Sequence, residues 1–413
     1  MDVFFPGERR TYRHENRQPA AGLWYHDHGM GLTRLNVHAG LAGLYLLRDH
    51  EDTGDRTNAR QLPSGEFEVP LILADRRFHP DGSLNYRTLT LVRQGHWDGG
   101  QIGDRLTVNG KVSPYFEVAR GQYRFRVLNA SNFRAYHLFF RDRRPCHVIG
   151  NDAGLLDGPV VTTEIRLTPG ERTDLVVGFS DLSRGEHVDL NNDQREADLI
   201  ALVTDAQPLP DVARFTGTGA KGHAKARPTR LRLTPKPGAP DRRRVVTLTQ
   251  DLELPRWPPA GMSLNKLCFD DDPIAMPRQG TTELWEVVNL TVEDHPVHLH
   301  LVNLHLVNRQ AFDPTSYSLA HPRPAMGTEW APPPDGFLLG APQPPAPWES
   351  GPKDTVNRPQ NTVTRFLLRF PTAGELGFDP DAEFGMDLRD YVWHCHILDH
   401  EDDCMMARYR LVP

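Results

Sequence analysis

The sequence predicts an all-β protein folded as sandwich domains, and three observations predict it. Segments such as EVPLILADRRF, GQYRFRVLNAS, TTEIRLTPGERTDLVVGFS, RRRVVTLTQDL, TTELWEVVNLT and NTVTRFLLRF are rich in Val, Leu, Ile, Thr and aromatics. They are bounded by Gly, Pro, Asn and Asp, the pattern of strands closed by turns. Amphipathic helical stretches are scarce. The 34 glycines and 36 prolines make up about a sixth of the 413 residues, which favours many short strands over long helices. The length accommodates two or three domains with sizeable cores.

Composition excludes several partners. A net charge of −7 and a pI of about 6.2 leave no electrostatic footprint for nucleic acid. No apolar run approaches the roughly 20 residues of a membrane span, so no membrane partner is expected. The opening MDVFFPGERR lacks the basic and apolar regions of a signal peptide, and the compartment stays open. Cys146, Cys268, Cys395 and Cys404 are too scattered for a disulfide framework. Cys146, Cys268 and Cys404 are read as small buried residues.

Two internal echoes set the domain period. NGKVSPYFEVARGQYRFRVLNAS (109–131) resembles NKLCFDDDPIAMPRQGTTELWEVVNLT (265–291), with Asn129 and Asn289 160 residues apart, about one domain. LWYHDHGM (23–30) resembles YVWHCHIL (391–398): aromatic residues, then His-x-His, then a final strand. The C-terminal copy ends a domain, so the N-terminal copy is expected to do the same. The boundaries expected are a C-terminal remnant of a first domain over 1–50, a second domain over 67–205, a Pro/Gly/basic connector, and a third domain over 242–413. The Pro-rich run APPPDGFLLGAPQPPAPWESGP is expected to be a stiff surface loop.

Nine of the nineteen histidines fall in three windows: 26 and 28; 295, 298, 300 and 305; 394, 396 and 400. On a strand, residues i and i+2 share a face. His394 and His396 therefore point one way and Cys395 the other, so one strand feeds two sites. One Cys, two His and a weak axial Met form a blue-copper site, which Cys395, His400 and Met405 supply from one segment, with His295 of HPVHLH as the second imidazole. The opposite face collects His26, His28, His298, His300, His394 and His396, a set suited to several copper ions. A lone His-x-His is a weak signal; three His, one Cys and one Met within HCHILDHEDDCM are not explained by packing. His305 and the remaining ten histidines are read as ordinary strand, core or surface residues.

HPVHLH and HCHILDHEDDCMM resemble the third and fourth copper motifs of the multicopper oxidases. LWYHDHGMGLTRLNVHAGLAGLYLLRD resembles the second, in the style of the bacterial spore-coat laccase, bilirubin oxidase and phenoxazinone synthase group. VNGKVSPYFEV, YRFRVLNASN and KDTV agree with that group, and the similarity runs from about residue 20 to the C-terminus. The resemblance implies Greek-key cupredoxin β-sandwiches, here two complete domains plus a remnant. It also implies laccase-like coupling of one-electron oxidations of a phenol or aminophenol to reduction of O2 to water. Carried over by motif, it implies a type 1 copper on His295, Cys395 and His400 with Met405 axial. His298 would bind the type 2 copper, His28, His300 and His394 one type 3 copper, and His26 and His396 the other. Cys395 would pass electrons onward, and Glu401 resembles a carboxylate that delivers protons to bound oxygen; its plainer reading is a solvated loop acid.

The family's first motif, a His-x-His-Gly upstream, has no counterpart before His26, and His14 in TYRHEN is single. On that footing the trinuclear site lacks two of eight histidines, and four-electron chemistry is expected to be impaired. Three explanations stand side by side: a misplaced start or fragment, a partner chain supplying the missing first-domain strands and ligands, or a protein keeping only the type 1 copper. The alternative function is accordingly a blue-copper electron-transfer protein without oxidase activity.

Overall fold

The computed structural model describes residues 5–9, 11, 12, 14, 16–86, 100–196, 201, 205–252, 260–272, 275–380 and 390–413. Among these residues strands dominate and the helices between them are short. No described helix is long and apolar enough to cross a membrane. His96 lies outside the described residues.

The described chain opens on an antiparallel pair, Gly22–His26 with Ala42–Leu46, in which His26 faces Ala42. The helix Thr33–His38 fills the connection and buries Val37. A two-stranded sheet is marginal alone, and this one is fastened to its neighbour largely by charge. Arg124 bonds both oxygens of Asp52 at 2.8 Å and reaches Asp174 at 2.7 Å. Arg126 bonds Asp174 at 2.6 Å, Asp52 at 3.0 Å and Glu68 at 2.8 Å. Both guanidiniums are buried, a position tolerated only where the charges are met. Burial pushes the Asp52 carboxyl up, but Arg124 and Arg126 outweigh it and hold Asp52 well below the usual carboxylate range.

Next comes a sandwich of a seven-stranded and a five-stranded sheet spanning Glu68 to Lys221. Its strand Gln122–Asn129 illustrates the logic. Phe125 and Val127 enter the core, while Arg124 and Arg126, on the other face, meet the entry segment's Asp52. Phe125, Phe140, Phe179 and Phe215 close the core, with Phe125 and Phe215 centroids 5.3 Å apart. Each such buried ring contributes about 1.5–3 kcal/mol.

A six-stranded and a four-stranded sheet follow, built from Arg242 onward. The four-stranded sheet runs Thr355–Arg358, His295–Leu299, Tyr391–Cys395, Met406–Tyr409. Trp285 and Trp393 pack edge to face at 5.4 Å in its core, and Cys395 and Met405 belong to that same apolar cluster. The sequence echo is structural. Glu68–Leu73 pairs in parallel with Arg124–Asn129, as Arg242–Leu248 does with Glu283–Asn289. Asn129 and Asn289 each accept a backbone N–H two residues on, at 3.0 Å.

Several expectations are corrected. The connector after residue 205 supplies the strand Asp211–Lys221, paired with His187–Asn192 and Tyr115–Arg120. Its Gly and Thr residues masked the strand pattern. The Pro-rich run is not simply a loop, because Leu338–Gln343 pairs with Leu304–Phe312 at the edge of the six-stranded sheet. Pro342 is tolerated there since an edge strand has N–H groups free of ladder duty. Cys268 and Cys404 are neither isolated nor fully buried: they form a disulfide across 136 residues. A separation of that size leaves no spacing pattern to read.

Candidate metal centre

The strand Tyr391–Cys395 divides its ligands between two groups. Its neighbour His295–Leu299 sets Val297 opposite Cys395 and His298 opposite His394. The Cys395 Sγ lies 3.4 Å from His295 Nδ1 and 3.9 Å from His400 Nδ1. Thr291 Oγ1 holds the far nitrogen of His295 at 2.7 Å, which turns Nδ1 toward the sulfur. His400 rides on the short helix Leu398–Glu401, with the Phe133 ring edge-on at 6.1 Å. Met405 lies fully buried beside them; its N–H donates to His400 O at 3.0 Å and its C=O accepts from Cys395 N–H at 2.9 Å. Burial lowers His295 to about 3, so the ring is neutral with a free lone pair, and pushes the Cys395 thiol well above its usual value.

The six histidines gather behind the strand. His394 Nε2 lies 3.4 Å from His28 Nε2 and 3.3 Å from His300 Nε2. His298 stands 5.0 Å from His300 and 5.8 Å from His396 between ring centroids, and His26 stands 5.3 Å from His396. The Nδ1 atoms of His26, His298 and His394 meet backbone carbonyls of Asp27, Asp354 and Cys395 at 2.7, 2.9 and 3.0 Å. Each ring thereby keeps Nε2 for a ligand, as a hydrogen bond at the far ring nitrogen does for histidines at metal sites. Burial first, then neighbouring histidines, keeps His26 down at about 3 and His396 well below its usual value. A cavity of about 550 Å³ opens over His26, His28, His298 and His300. His305 stands outside both groups, half-buried on Leu304–Phe312.

Glu401 is no solvated loop acid. It is 1% exposed, with Oε2 3.0 Å from His394 Nδ1 and Oε1 3.5 Å from His28 Nε2. Burial raises its carboxyl to about 8. Sequence reading missed four supporting residues. Asp354, within KDTV, takes His298 on its carbonyl and Arg172 on both carboxylate oxygens at 2.6 Å. Thr291 orients His295. Gly170, at φ +80°, lets the backbone approach His396 so closely that a Cβ would stand 2.5 Å from its Cδ2. Glu293 brings Oε2 to 3.7 Å from His400 Nε2.

These donors fit copper. Neutral imidazoles and one thiol suit a borderline-to-soft ion, and a thiol enclosed among lone pairs needs a cation to become a thiolate. Both ring nitrogens of His396 are buried without a hydrogen-bond partner. Leaving such an atom unmet costs about 1–3 kcal/mol, and ligation removes that cost at the nitrogen that binds.

Sandwich domains whose strands hold a Cys–His₂ group back to back with a histidine cluster define a copper oxidoreductase. This chain belongs to the multicopper oxidase family. Family models described as multicopper oxidase match residues 1–52 and 237–413. The chain is 35% identical to a laccase of Bacillus stratosphericus over 411 residues, covering 97% of this chain and 73% of that one. It is 34% identical to a laccase of Bacillus subtilis, covering 97% and 72%. Among solved structures, the McoA multicopper oxidase of Aquifex aeolicus superposes with a TM-score of 0.74 at 28% identity, covering 96% of this chain and 76% of that one. The sandwiches are thus cupredoxin-like, and the protein is a laccase-like copper oxidoreductase that takes electrons from a small-molecule reductant and uses O2 as acceptor.

Proposed function

We propose that His295, Cys395 and His400 would hold the type 1 copper, with the Met405 thioether as a weaker fourth donor. His28, His300 and His394 hold one type 3 ion, His26 and His396 contribute to the other, and His298 to the type 2 ion. Bound there, copper would supply one-electron redox change at the thiolate group and a reducing site for O2 at the histidines. The chain's own residues do the rest. Cys395 links the groups through covalent bonds to His394 and His396. Glu401 holds a proton beside His394 and His28 at neutral pH, poised as a general acid.

The reductant we propose is a phenol or aminophenol. A cavity of about 280 Å³ lies beside the type 1 group, with Phe133, Val292, Pro296 and Ile397 on its apolar side and charged residues such as Arg166 and Glu293 in the rest of its lining. The apolar side accepts an aromatic ring. Glu293 Oε2, buried without a hydrogen-bond partner, offers an acceptor to an O–H or N–H donor near His400.

The observation that carries this reading is the division at one strand. Cys395 Sγ faces His295 and His400 within 3.9 Å, while His394 Nε2 faces His28 and His300 within 3.4 Å. Copper loading followed by metal analysis, optical spectra and O2 uptake with a phenolic reductant tests it. The two three-residue groups predict at least two coppers per chain, an intense thiolate-to-copper absorption, and uptake. One copper per chain without uptake would overturn the oxidase assignment of the histidines.

A further inference from the structure

The disulfide Cys268–Cys404 ends one residue before Met405. Two backbone hydrogen bonds tie Met405 to His400 and Cys395, that is, to the ligand-bearing segments themselves. The hold from outside comes through Cys404. Beyond its bond to Cys268, Cys404 bridges Ser263 on the six-stranded sheet. Cys268 sits in a braced turn: its N–H donates to Asp271 Oδ2 at 2.8 Å, and Asp271 N–H donates back to Cys268 O at 3.2 Å. Arg408, on the final strand, clamps the turn by donating to Phe269 O at 2.9 Å and Asp271 O at 2.5 Å. Lys266 pairs with Asp251 at 2.9 Å and fixes the turn's start. The segment 402–404, by contrast, follows the end of the helix Leu398–Glu401 and carries no regular ladder of its own.

We infer that this disulfide is a positioning bond for Met405, setting how closely its thioether approaches the type 1 copper. The inference rests on the proposal that Met405 is the axial donor. A thioether donates electron density to the oxidised ion more than to the reduced one, and the axial ligand tunes a blue-copper potential. With the bond in place, Met405 is held between a rigid turn and the Cys395 strand. Without it, Met405 keeps its backbone bonds to Cys395 and His400 and the neighbouring Cys404–Ser263 bridge, but the covalent tether to the turn is gone, the thioether retreats, and the oxidised ion loses stabilisation. The potential then rises. His295, Cys395 and His400 are held by other contacts and stay.

The test uses the copper-loaded full chain. The C268S/C404S variant is titrated against a redox mediator beside the parent, and its thiolate-to-copper absorption is recorded. The expected result is at least a tenfold shift toward reduced copper at a fixed mediator potential, about 59 mV for a one-electron couple, with the absorption band displaced. C268S alone serves if the double variant does not load. If neither loads, the same titration is run on parent protein whose disulfide has been cleaved by a phosphine and verified by mass. An unchanged potential and band, even with a lower melting temperature, makes the bond purely structural and overturns the inference. M405L separates the two claims. A potential moved by M405L but not by loss of the disulfide sinks the positioning role alone; a potential indifferent to M405L sinks the axial assignment, and the inference with it.

Discussion

The Cys395 group and the histidine cluster share a strand but are built differently. The first is drawn from residues 291–405 of one sandwich and is sealed: His295, Cys395, His400 and Met405 are all fully buried. The second is assembled from His26 and His28 of the entry segment and four histidines of the last sandwich, and it opens on a cavity. A sealed group is held by core packing, and on the proposed assignment small displacements there would tune its potential. On the proposed assignment, an assembled group must hold pieces of chain in register and admit O2 and protons, so its precision comes from supporting contacts such as the Asp354 carbonyl on His298 and the close approach of Gly170 beneath His396.

Removing the thiol breaks the comparison most severely. Cys395→Ser should abolish the thiolate absorption and lower O2 uptake at least about 10³-fold, about 4 kcal/mol in barrier, while copper at the histidines persists by metal analysis. Glu401→Gln tests the other side. The thiolate absorption should stay and turnover should fall about 10²-fold. Because burial raises Glu401 to about 8, the parent's turnover should decline as pH rises through that value, and the variant should lack this limb.

Asp52→Asn asks whether the assembled group depends on its fastening. Leaving Arg124 and Arg126 short of a partner should cost about 3–5 kcal/mol, read by chemical denaturation at neutral pH. The Asp52 carboxyl is depressed in the folded state, so its contribution is complete above about pH 4, its unfolded value. It is lost as pH falls through the folded value, and parent and variant should converge there. The smallest effect is sharpest in aim. Gly170→Ala should cost about 1–3 kcal/mol through the positive φ and the contact with His396, and lower copper retention at the histidines with no change in the thiolate absorption.

Much of the site was legible because it rests on period-two alternation. His394-Cys395-His396 announces two faces, and HPVHLH supplies both, with His295 for one and His298 and His300 for the other. What alternation cannot say is what covers a face. In QYRFRVLN, alternation puts Arg124 and Arg126 on the face opposite Phe125 and Val127, and the fold adds that the entry segment roofs that face and brings Asp52. The Cys268–Cys404 bond, the Thr291 hold on His295 and the roles of Asp354 and Gly170 depend on contacts between distant segments, so no local pattern reports them. The strand at 211–221 was hidden for another reason: RFTGTGAK has the composition of a linker and gains its conformation from two neighbours.

The electrostatic fastening of the entry hairpin makes metal uptake and melting two readings of one equilibrium. Any ion gripped jointly by His28, His300 and His394 ties that hairpin to the rest by mass action, stabilising the closed form in proportion to the logarithm of free metal. A chelator should therefore loosen residues near the hairpin before the sandwiches, and salt, by screening what charge remains accessible, should deepen the effect.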